Sequence, residues 1–376
     1  MRYDMNLFDQ PFESIKNGTK KIELRLNDKK RSKIRPNDRI FFHRFDQEYD
    51  IVKTTVSDIR RYRDFKELYE KEDLLLCGYE EGDHPSYEDM YEYYSKEKID
   101  RYGVLAIEIT KDEDPYLVDG HVHLEHGPLS IEYVMRFIDE AIRKDLDEVD
   151  ILDHSHRFKE FRPCYDLLRI YPEQDEWLSR PGKFRDTLND YFTLIEEIGR
   201  KDLPIRVRFG LEVCYTEETE DLLREILKDI KLDFLTGSVH SVKDILYDMS
   251  FSKRLLEGRY TDSETVKLYY RRLIACASSG LFDRIGHPDQ IKVAVKTEDL
   301  SLKRYYEELA RVCKEKHILA ENNSGCHWRY GLSDIGNSDT FLKTFKEYGV
   351  GMITASDAHD PKDTGNLIRE AEERIR

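Results

Sequence analysis

The chain has 376 residues, of which 39% are hydrophobic and 37% are charged, and its formal net charge is −16. This length allows two or three domains, and the negative charge argues against a nucleic-acid-binding surface over the whole chain. The first residues, MRYDMNLFDQPF, lack the apolar segment of a signal peptide, and the chain has no run of about 18 apolar residues that could span a membrane. We therefore expect a cytoplasmic protein without a membrane partner.

Cysteine and histidine usage divides the chain into two chemically different parts. The six cysteines are widely spaced and form no CxxC pair, which argues against a disulfide framework and a cysteine zinc site. Only His43 and His84 precede residue 111, and the other ten histidines follow it. Basic residues are concentrated near the start, because the segment 20–35, KKIELRLNDKKRSKIR, has eight basic and only two acidic residues.

The first part, residues 1–110, is predicted to be a small β-barrel domain. Segments rich in β-branched and aromatic residues predict strands at DRIFFHRF, DIVKTTVSDIRRY and GVLAIEIT. Two amphipathic segments predict short helices, YRDFKELYEKED and YEDMYEYYSKEKIDRYG. Many short strands with few helices favour a small β-barrel. The polar, proline-ended segment KDEDP, at 111–115, predicts a linker.

From residue 116 to residue 376, predicted strands alternate with predicted helices. The strands are PYLVDGH, EVDILDH, IRVRFGLEV, DFLTGSVH, FDRIGHP, HILAENNS and VGMITASDAH. The helices between them include SIEYVMRFIDEAIRK, EETEDLLREILKDI, LSLKRYYEELARVCKEK and SDTFLKTFKEYG. Seven such units predict an α/β fold with a parallel sheet, most economically closed into a TIM-like barrel, with an open doubly wound sheet as the alternative. Neither GxGxxG nor GxxxxGK[ST] occurs, which argues against nucleotide-phosphate loops of those types.

All but the sixth of these strands end in residues that can bind a metal ion. The strand ends carry His121, His123, Asp153, His154, Glu212, His240, His287, Asp357 and His359. In a parallel barrel these ends meet on one face, where barrel enzymes place their chemistry. Imidazoles and carboxylates without thiolates suit zinc, manganese or iron. Because this set offers more ligands than one ion can use, we expect two or three divalent ions.

Several ions in one site favour hydrolysis of a phosphoester, because they lower the pKa of water and clamp a phosphoryl group. Amide hydrolysis is the nearest alternative. Glu212 and Asp357 are predicted catalytic carboxylates that two ions can share, and His156 is a predicted proton donor to the leaving group. Arg157 and Arg329 are predicted to bind the phosphate, although a surface salt bridge is the alternative for each.

The series DGHVH, LDH, GLEV, SVH, GHPD and SDAH resembles the PHP superfamily, and most closely its histidinol-phosphatase branch, over residues 116–376. The resemblance implies a distorted (β/α)7 barrel with a trinuclear metal site that hydrolyses phosphoesters. It implies ligands for a first ion (His121, His123, Glu212, Asp357), for a second ion bridged by Glu212 (His240, His287) and for a third (His154, His359). The family usually has a further third-site histidine where this chain has Leu129. His126 is the predicted substitute, Glu125 is the alternative, and weak binding of the third ion is another.

The segment GTKKIELR fits the pattern GxKxxExR, and with YGVLAIEI it resembles an ASCH domain, a PUA-like small β-barrel. The resemblance implies an RNA or nucleoside ligand. Some members hydrolyse acylated cytidine with a threonine where this chain has Glu23, so that activity is not expected here. Lys20, Lys21, Glu23 and Arg25 are predicted to bind a base and phosphate, with a solvated loop of mixed charge as the alternative. Strand alternation places Lys20 on the opposite face from the other three, unless a bulge intervenes.

The sequence thus predicts a multinuclear metal-dependent phosphomonoesterase of the histidinol-phosphatase type. Its expected partners are a small phosphate ester or nucleotide at the barrel and RNA or a nucleotide at the N-terminal module. The alternative is an RNA-binding or RNA-processing protein in which the barrel is a phosphodiesterase or an inactive scaffold.

Overall fold

The computed structural model describes residues 1–45, 47–297 and 300–376. The chain divides into two compact units, Met1–Tyr116 and Leu117–Arg376. Each unit has hydrophobic clusters of its own. Among the residues so described, no helix combines the length and the apolar character that a membrane span requires.

The first unit is a curled five-stranded sheet with short helices. Its strands are β1 (Arg2–Leu7), β2 (Ile22–Leu26), β3 (Arg39–Arg44), β4 (Gln47–Tyr62) and β5 (Val104–Lys111). The sheet order is β1-β3-β4-β5-β2, in which β1 pairs with β3 in parallel and the other pairs are antiparallel. Its α-helices are α1 (Asp9–Lys16), α2 (Phe65–Lys71) and α3 (Lys96–Tyr102).

The helix predicted over residues 87–103 is two separate elements. A 3₁₀ turn covers Tyr87–Glu92, and α3 begins after Ser95, whose side-chain oxygen accepts a hydrogen bond from the backbone N–H of Lys98. A serine in this extended conformation starts a new helix rather than continuing an old one. Two elements at the start of the chain, β1 and α1, were not predicted.

The second unit contains nine strands and ten α-helices among its described residues. The strands are β6 (Val118–His123), β7 (Glu148–Leu152), β8 (Arg206–Cys214), β9 (Phe234–Ser238), β10 (Ser241–Val242), β11 (Ile245–Leu246), β12 (Arg284–Ile285), β13 (Leu319–Asn323) and β14 (Met352–Ala355). The helices are α4 (Ile131–Arg143), α5 (Pro172–Leu178), α6 (Leu188–Gly199), α7 (Glu220–Leu227), α8 (Ser252–Leu256), α9 (Asp262–Ser278), α10 (Lys303–Lys316), α11 (Gly325–Trp328), α12 (Asp339–Glu347) and α13 (Ile368–Ile375).

Seven of these strands form a parallel sheet that closes almost completely into a barrel. The order is β14-β13-β12-β9-β8-β7-β6, and β10 and β11 form a separate hairpin. The two edge strands meet, because the backbone N–H of His123 donates to the carbonyl of Ala358 at 2.8 Å. The Oγ1 of Thr354 also donates to the carbonyl of Val118 at 2.6 Å. The predicted TIM-like barrel of seven strands is therefore confirmed, and the open doubly wound alternative is wrong.

The strands are buried on both faces, which fits their position between the barrel interior and the outer helices. All six residues of β6 and all five of β7 are buried. Inside the barrel, the guanidinium of Arg284 lies 2.7 Å from a carboxylate oxygen of Asp150, and both side chains are fully buried. The barrel interior thus contains a buried ion pair. Removing either partner would leave the other charge buried.

Candidate metal centre

A first group of ligands forms where β6, β8 and the end of β14 meet. The Nε2 atoms of His121 and His123 lie 2.8 Å apart. Oδ1 of Asp357 lies 3.3 Å from Nε2 of His123 and 3.9 Å from Nε2 of His121. Oε2 of Glu212 lies 3.6 Å and 3.7 Å from the same two nitrogens. All four side chains are buried, so two imidazoles and two carboxylates surround one point.

A second group uses the other oxygen of the same glutamate. Oε1 of Glu212 lies 2.8 Å from Nε2 of His287 and 3.1 Å from Nε2 of His240. The two oxygens of one carboxylate thus face two different sets of imidazoles. This is the arrangement that a carboxylate shared between two ions requires.

A third group lies at the outer edge of the cluster. The Nε2 atoms of His154 and His359 lie 3.4 Å apart, and Oε2 of Glu125 lies 3.7 Å from each of them. His126 is instead at the rim, where its half-exposed ring lies 3.8 Å from Asp360. Within the residues that the structure describes, His126 joins none of the possible ligand groups. Its ligand role remains a prediction, and the geometry favours Glu125.

The donor set fits divalent ions. Oε2 of Glu212 lies 2.5 Å from Nδ1 of His154 and also close to both histidines of β6. It nevertheless makes no hydrogen bond with any described residue, and neither does the buried Nδ1 of His123. A buried carboxylate oxygen without a hydrogen bond is costly, and a bound cation removes that cost. Nitrogen and oxygen donors without sulfur suit zinc, manganese or iron.

Two carboxylates orient the ligand histidines from behind. Nδ1 of His121 lies 2.7 Å from Oε1 of Glu321, and the other oxygen of Glu321 accepts from the backbone N–H of His287 at 3.1 Å. Nδ1 of His240 lies 3.2 Å from Oδ2 of Asp248. Such contacts fix the ring orientation and leave Nε2 free to bind an ion.

The surroundings of Glu212 and His123 favour the protonation states in which these two residues bind metal. Burial alone would raise the pKa of Glu212, but the imidazoles of His154, His240 and His121 outweigh it and hold this pKa well below its usual value. Burial, followed by the charge of His154, lowers the pKa of His123 well below its usual value. The glutamate is therefore ionised and His123 is neutral, as ligands must be.

Two other ligand histidines carry protons more readily. Burial would lower the pKa of His121, but the carboxylates of Glu321 and Glu212 outweigh it and raise this pKa well above its usual value. The pKa of His240 is raised in the same way by Glu212 and Asp248 against the effect of burial. Because a metal ion competes with these protons for the same nitrogens, metal binding here releases protons.

The cluster opens into a cavity of about 180 Å³. Two cationic, three aromatic and two sulfur-containing side chains line it beside the ligands, namely Lys183, Arg329, Tyr165, Trp177, Tyr330, Met249 and Cys214. The dimensions and the polar floor of the cavity suit a small, charged ligand.

Arg157 does not face this cavity, which corrects its prediction as a phosphate-binding residue. Its side chain is only 1% exposed and is used elsewhere. It donates to Asp153 and Asp186, at 2.6 Å each, and to the carbonyls of Leu124 and Gly127 at 2.7 and 3.0 Å. Two carboxylates already neutralise its charge. Its hydrogen bonds to the two carbonyls stabilise the loop after β6.

Arg329 and His156 both line the cavity. Arg329 donates to the carbonyl and to Oδ2 of Asp357, at 3.1 and 2.8 Å, so its role toward phosphate remains a prediction. Burial, followed by the charge of Lys183, lowers the pKa of His156 well below its usual value. His156 is therefore neutral near pH 7, which counts against its predicted role as proton donor.

Three residues of the site were not predicted: Lys183, Asp248 and Glu321. Glu321 had a usable signal, because it lies in the sixth strand and offers a carboxylate near the same barrel end. Glu125 was predicted as the alternative to His126, which is the next residue in the chain. Asp248 and Lys183 lie in loops outside the barrel strands, where strand periodicity provides no information.

In the first unit, Lys20, Glu23 and Arg25 form a buried ionic cluster. Oε2 of Glu23 lies 3.3 Å from Nζ of Lys20, and its Oε1 lies 2.6 Å from Nε of Arg25. Lys21 is exposed. The predicted alternation is therefore wrong for the two lysines, because β2 begins only after them. The backbone N–H groups of Lys21 and of the next residue both donate to the carbonyl of Leu76, which lies outside the sheet, so the regular alternation does not extend to the two lysines.

Comparisons with known proteins agree with this geometry. A PHP domain model matches residues 119–325, and an ASCH domain model matches residues 5–113. A probable histidinol-phosphatase from Deinococcus radiodurans is 29% identical over 213 residues, which cover 53% of this chain and 76% of that protein.

Two solved structures have a similar fold. The histidinol phosphate phosphatase of Lactococcus lactis, complexed with zinc, L-histidinol and phosphate, aligns with a TM-score of 0.51 and 20% identity, over 69% of this chain and 92% of that chain. A putative histidinol phosphatase of Listeria monocytogenes aligns with a TM-score of 0.55 and 18% identity, over 66% of this chain and 97% of that chain.

The imidazoles and carboxylates gathered at one mouth of the barrel, together with the PHP domain match and the similar histidinol-phosphatase, indicate a metal-dependent phosphoesterase. The chain belongs to the PHP family, and its first unit carries an ASCH domain.

Proposed function

We propose that this protein is a multinuclear phosphomonoesterase of the histidinol-phosphatase type. The observation that carries this proposal is the position of Glu212, whose two oxygens face two different sets of imidazoles. The third group, formed by Glu125, His154 and His359, supports up to three ions in all. Hydrolysis of a phosphate ester is the reaction that such a cluster serves best.

The ions, when bound, lower the pKa of water and neutralise charge on the phosphoryl oxygens. Side chains of the protein contribute to the proposed reaction in two further ways. Arg329, which is held by Asp357, places a fixed positive charge on the cavity wall. Glu321 and Asp248 hold the rings of His121 and His240, so the ligands do not have to reorganise during the reaction.

The proposed substrate is a small phosphate monoester. The cavity of about 180 Å³ supports a compact substrate. Histidinol phosphate is the first compound to test, because relatives of similar sequence or fold are named for it. A nucleotide or another modified nucleoside phosphate is the second, because the first unit carries an ASCH domain.

A phosphatase screen with each metal restored tests the proposal. Replacing Glu212 or His240 with alanine should lower kcat/KM by a factor of about 100 or more, because each loss removes a ligand from the shared centre. Glu225→Ala is the matched control, since this side chain is 69% exposed and should leave activity unchanged. Full activity in folded E212A and H240A would contradict the proposal.

We also propose that residues 1–110 are a domain that binds RNA or a nucleotide and that 111–115 link it to the barrel at 116–376. A cavity of about 540 Å³ supports this proposal, since Lys21 and Tyr79 line it, together with Glu80 and Glu81. A cation and an aromatic ring together suit phosphate and base.

Binding of short single-stranded RNA tests the N-terminal proposal. Affinity should fall steeply as salt rises and should fall by a factor of about 10 in Lys21→Ala, which removes one phosphate contact. Lys253→Ala is the control, because that lysine is 83% exposed in the other unit. RNA binding that is absent, or equal in Lys21→Ala, would contradict this proposal.

A further inference from the structure

Hydrogen bonds of the surrounding backbone hold Lys183 in a defined position at the mouth of the barrel. It lies in the segment between α5 and α6, and backbone hydrogen bonds fix this segment to the chain that follows β7. The N–H of Phe184 donates to the carbonyl of His156 at 2.7 Å, and the N–H of Lys159 donates to the carbonyl of Asp186 at 2.9 Å. These bonds, made by residues shortly after Lys183, fix the segment that places its side chain at the cavity wall.

The ammonium group of Lys183 has two partners for its three donors. Nζ lies 2.6 Å from Oε1 of Glu125 and 3.2 Å from Nε2 of His156. Because an ammonium group can only donate, Nε2 of His156 accepts here. Nζ also lies 4.1 Å from the centre of the Trp177 ring, a favourable cation–π contact. The side chain is only 8% exposed, although it borders the cavity.

Burying an ammonium group costs free energy unless an opposite charge and hydrogen-bond acceptors compensate it. Lys183 and Arg329 are the two lysine or arginine residues among the described residues that line the cavity. Arg329 is already bound to Asp357, and Arg157 is turned away from the cavity. If the other oxygen of Glu125, which faces His154 and His359, binds an ion, less of the carboxylate charge is left to neutralise Lys183.

We propose that Lys183 contacts the phosphate group of the substrate with the donor that Glu125 and His156 leave unused. This inference rests on the proposed phosphoesterase function. It assigns to Lys183 the contact that the sequence pattern had assigned to Arg157. A purely structural role is the competing explanation, in which Lys183 only positions Glu125 as a metal ligand.

Titration calorimetry of the full-length, metal-loaded protein with inorganic phosphate separates these explanations. Lys183→Met should bind phosphate about 10 to 100 times more weakly than the wild type, as expected for the loss of one charge-assisted hydrogen bond. Lys183→Arg keeps the charge and should recover part of the affinity. Lys343→Met is the control, because that lysine is 79% exposed. Metal content, measured on the same samples, should not change.

Unchanged phosphate affinity in Lys183→Met would overturn the inference. Loss of metal in Lys183→Met, with phosphate binding falling in proportion, would overturn it too, since Lys183 would then act through Glu125. If the wild type and variants bind phosphate as expected but hydrolyse no ester, the proposed function fails, and Lys183 is a phosphate-binding residue without a hydrolytic role. If the wild type is an active phosphatase and Lys183→Met binds phosphate normally, the inference alone fails.

Discussion

His121 depends on a carboxylate that is not itself positioned to bind an ion. Glu321 holds Nδ1 of its ring at 2.7 Å and the backbone N–H of His287 at 3.1 Å. One side chain therefore orients ligands of both the first and the second group. Hydrogen bonds of this kind typically contribute a factor of about 10 to 100 to metal affinity.

We predict that Glu321→Gln lowers the affinity for the most tightly bound ion by a factor of about 10 to 100, with little change in fold, because the amide keeps the shape but loses the charge. Competition with a chelator of known affinity measures this. Glu225→Gln, on an exposed helix surface, serves as control. An affinity equal to that of the wild type would show that Glu321 does not tune the centre.

Two ligands adopt backbone conformations that are unusual for their residue types. Asp357 has a φ of 57° and His287 has a φ of 29°, although a left-handed backbone is disfavoured for residues with a Cβ. Such strain concentrates at functional sites, where the surrounding structure imposes it. No pattern in the sequence predicted it, because the conformation is set by the neighbouring strands and loops.

The orientation of each arginine side chain also depends on partners that are distant in sequence. Arg157 and Arg329 both follow barrel strands, and both were predicted at the mouth. Asp186, 29 positions after Arg157, helps to hold that guanidinium inside the protein. The positions of the strand-end histidines were easier to predict than those of the arginine head groups, because strand ends fix the position of a short side chain but not the direction of a long one.

At the scale of elements, closure of the barrel places β6 directly against β14. Gly120 makes this approach possible. A Cβ at this position would lie 2.8 Å from Cδ1 of Ile353 and 2.9 Å from the carbonyl oxygen of Thr354. The contact with a backbone atom leaves little room for adjustment. Because His121 and His123 lie on the same strand, barrel closure and ligand placement are coupled.

We predict that Gly120→Ala lowers the free energy of unfolding by about 1–3 kcal/mol, as overpacking in a core usually does. Urea unfolding measures the effect. Gly199→Ala is the matched control, since no atom lies within 4 Å of its added Cβ, and it should be neutral or slightly stabilising. Equal stability of Gly120→Ala and the wild type would show that the two edge strands can separate at no cost.

Strand periodicity predicted the barrel well because parallel strands that are buried on both faces are continuous apolar runs. It predicted the loops poorly. The chain between β7 and β8 contains α5, α6 and the loop that carries Lys183, and none of these was predicted. Long connections of this kind are fixed by contacts with the barrel rather than by their own periodicity.

At the scale of the molecule, two units with separate cores carry two different kinds of polar cluster. The first unit has a buried Lys20–Glu23–Arg25 cluster, and the second has the imidazole-rich mouth of the barrel. The change in histidine content along the sequence predicted this division into two parts. It could not predict whether the two sites act on one ligand.

The central claim is that ligands from six strand ends converge to hold several divalent ions. Elemental analysis of the purified full-length protein, after reconstitution and removal of loosely bound ions, tests it most directly. We predict two or three ions of zinc, manganese or iron per chain, with a clear loss in His240→Ala. Fewer than one ion per chain in the wild type, or the same content in folded His240→Ala, would contradict the claim.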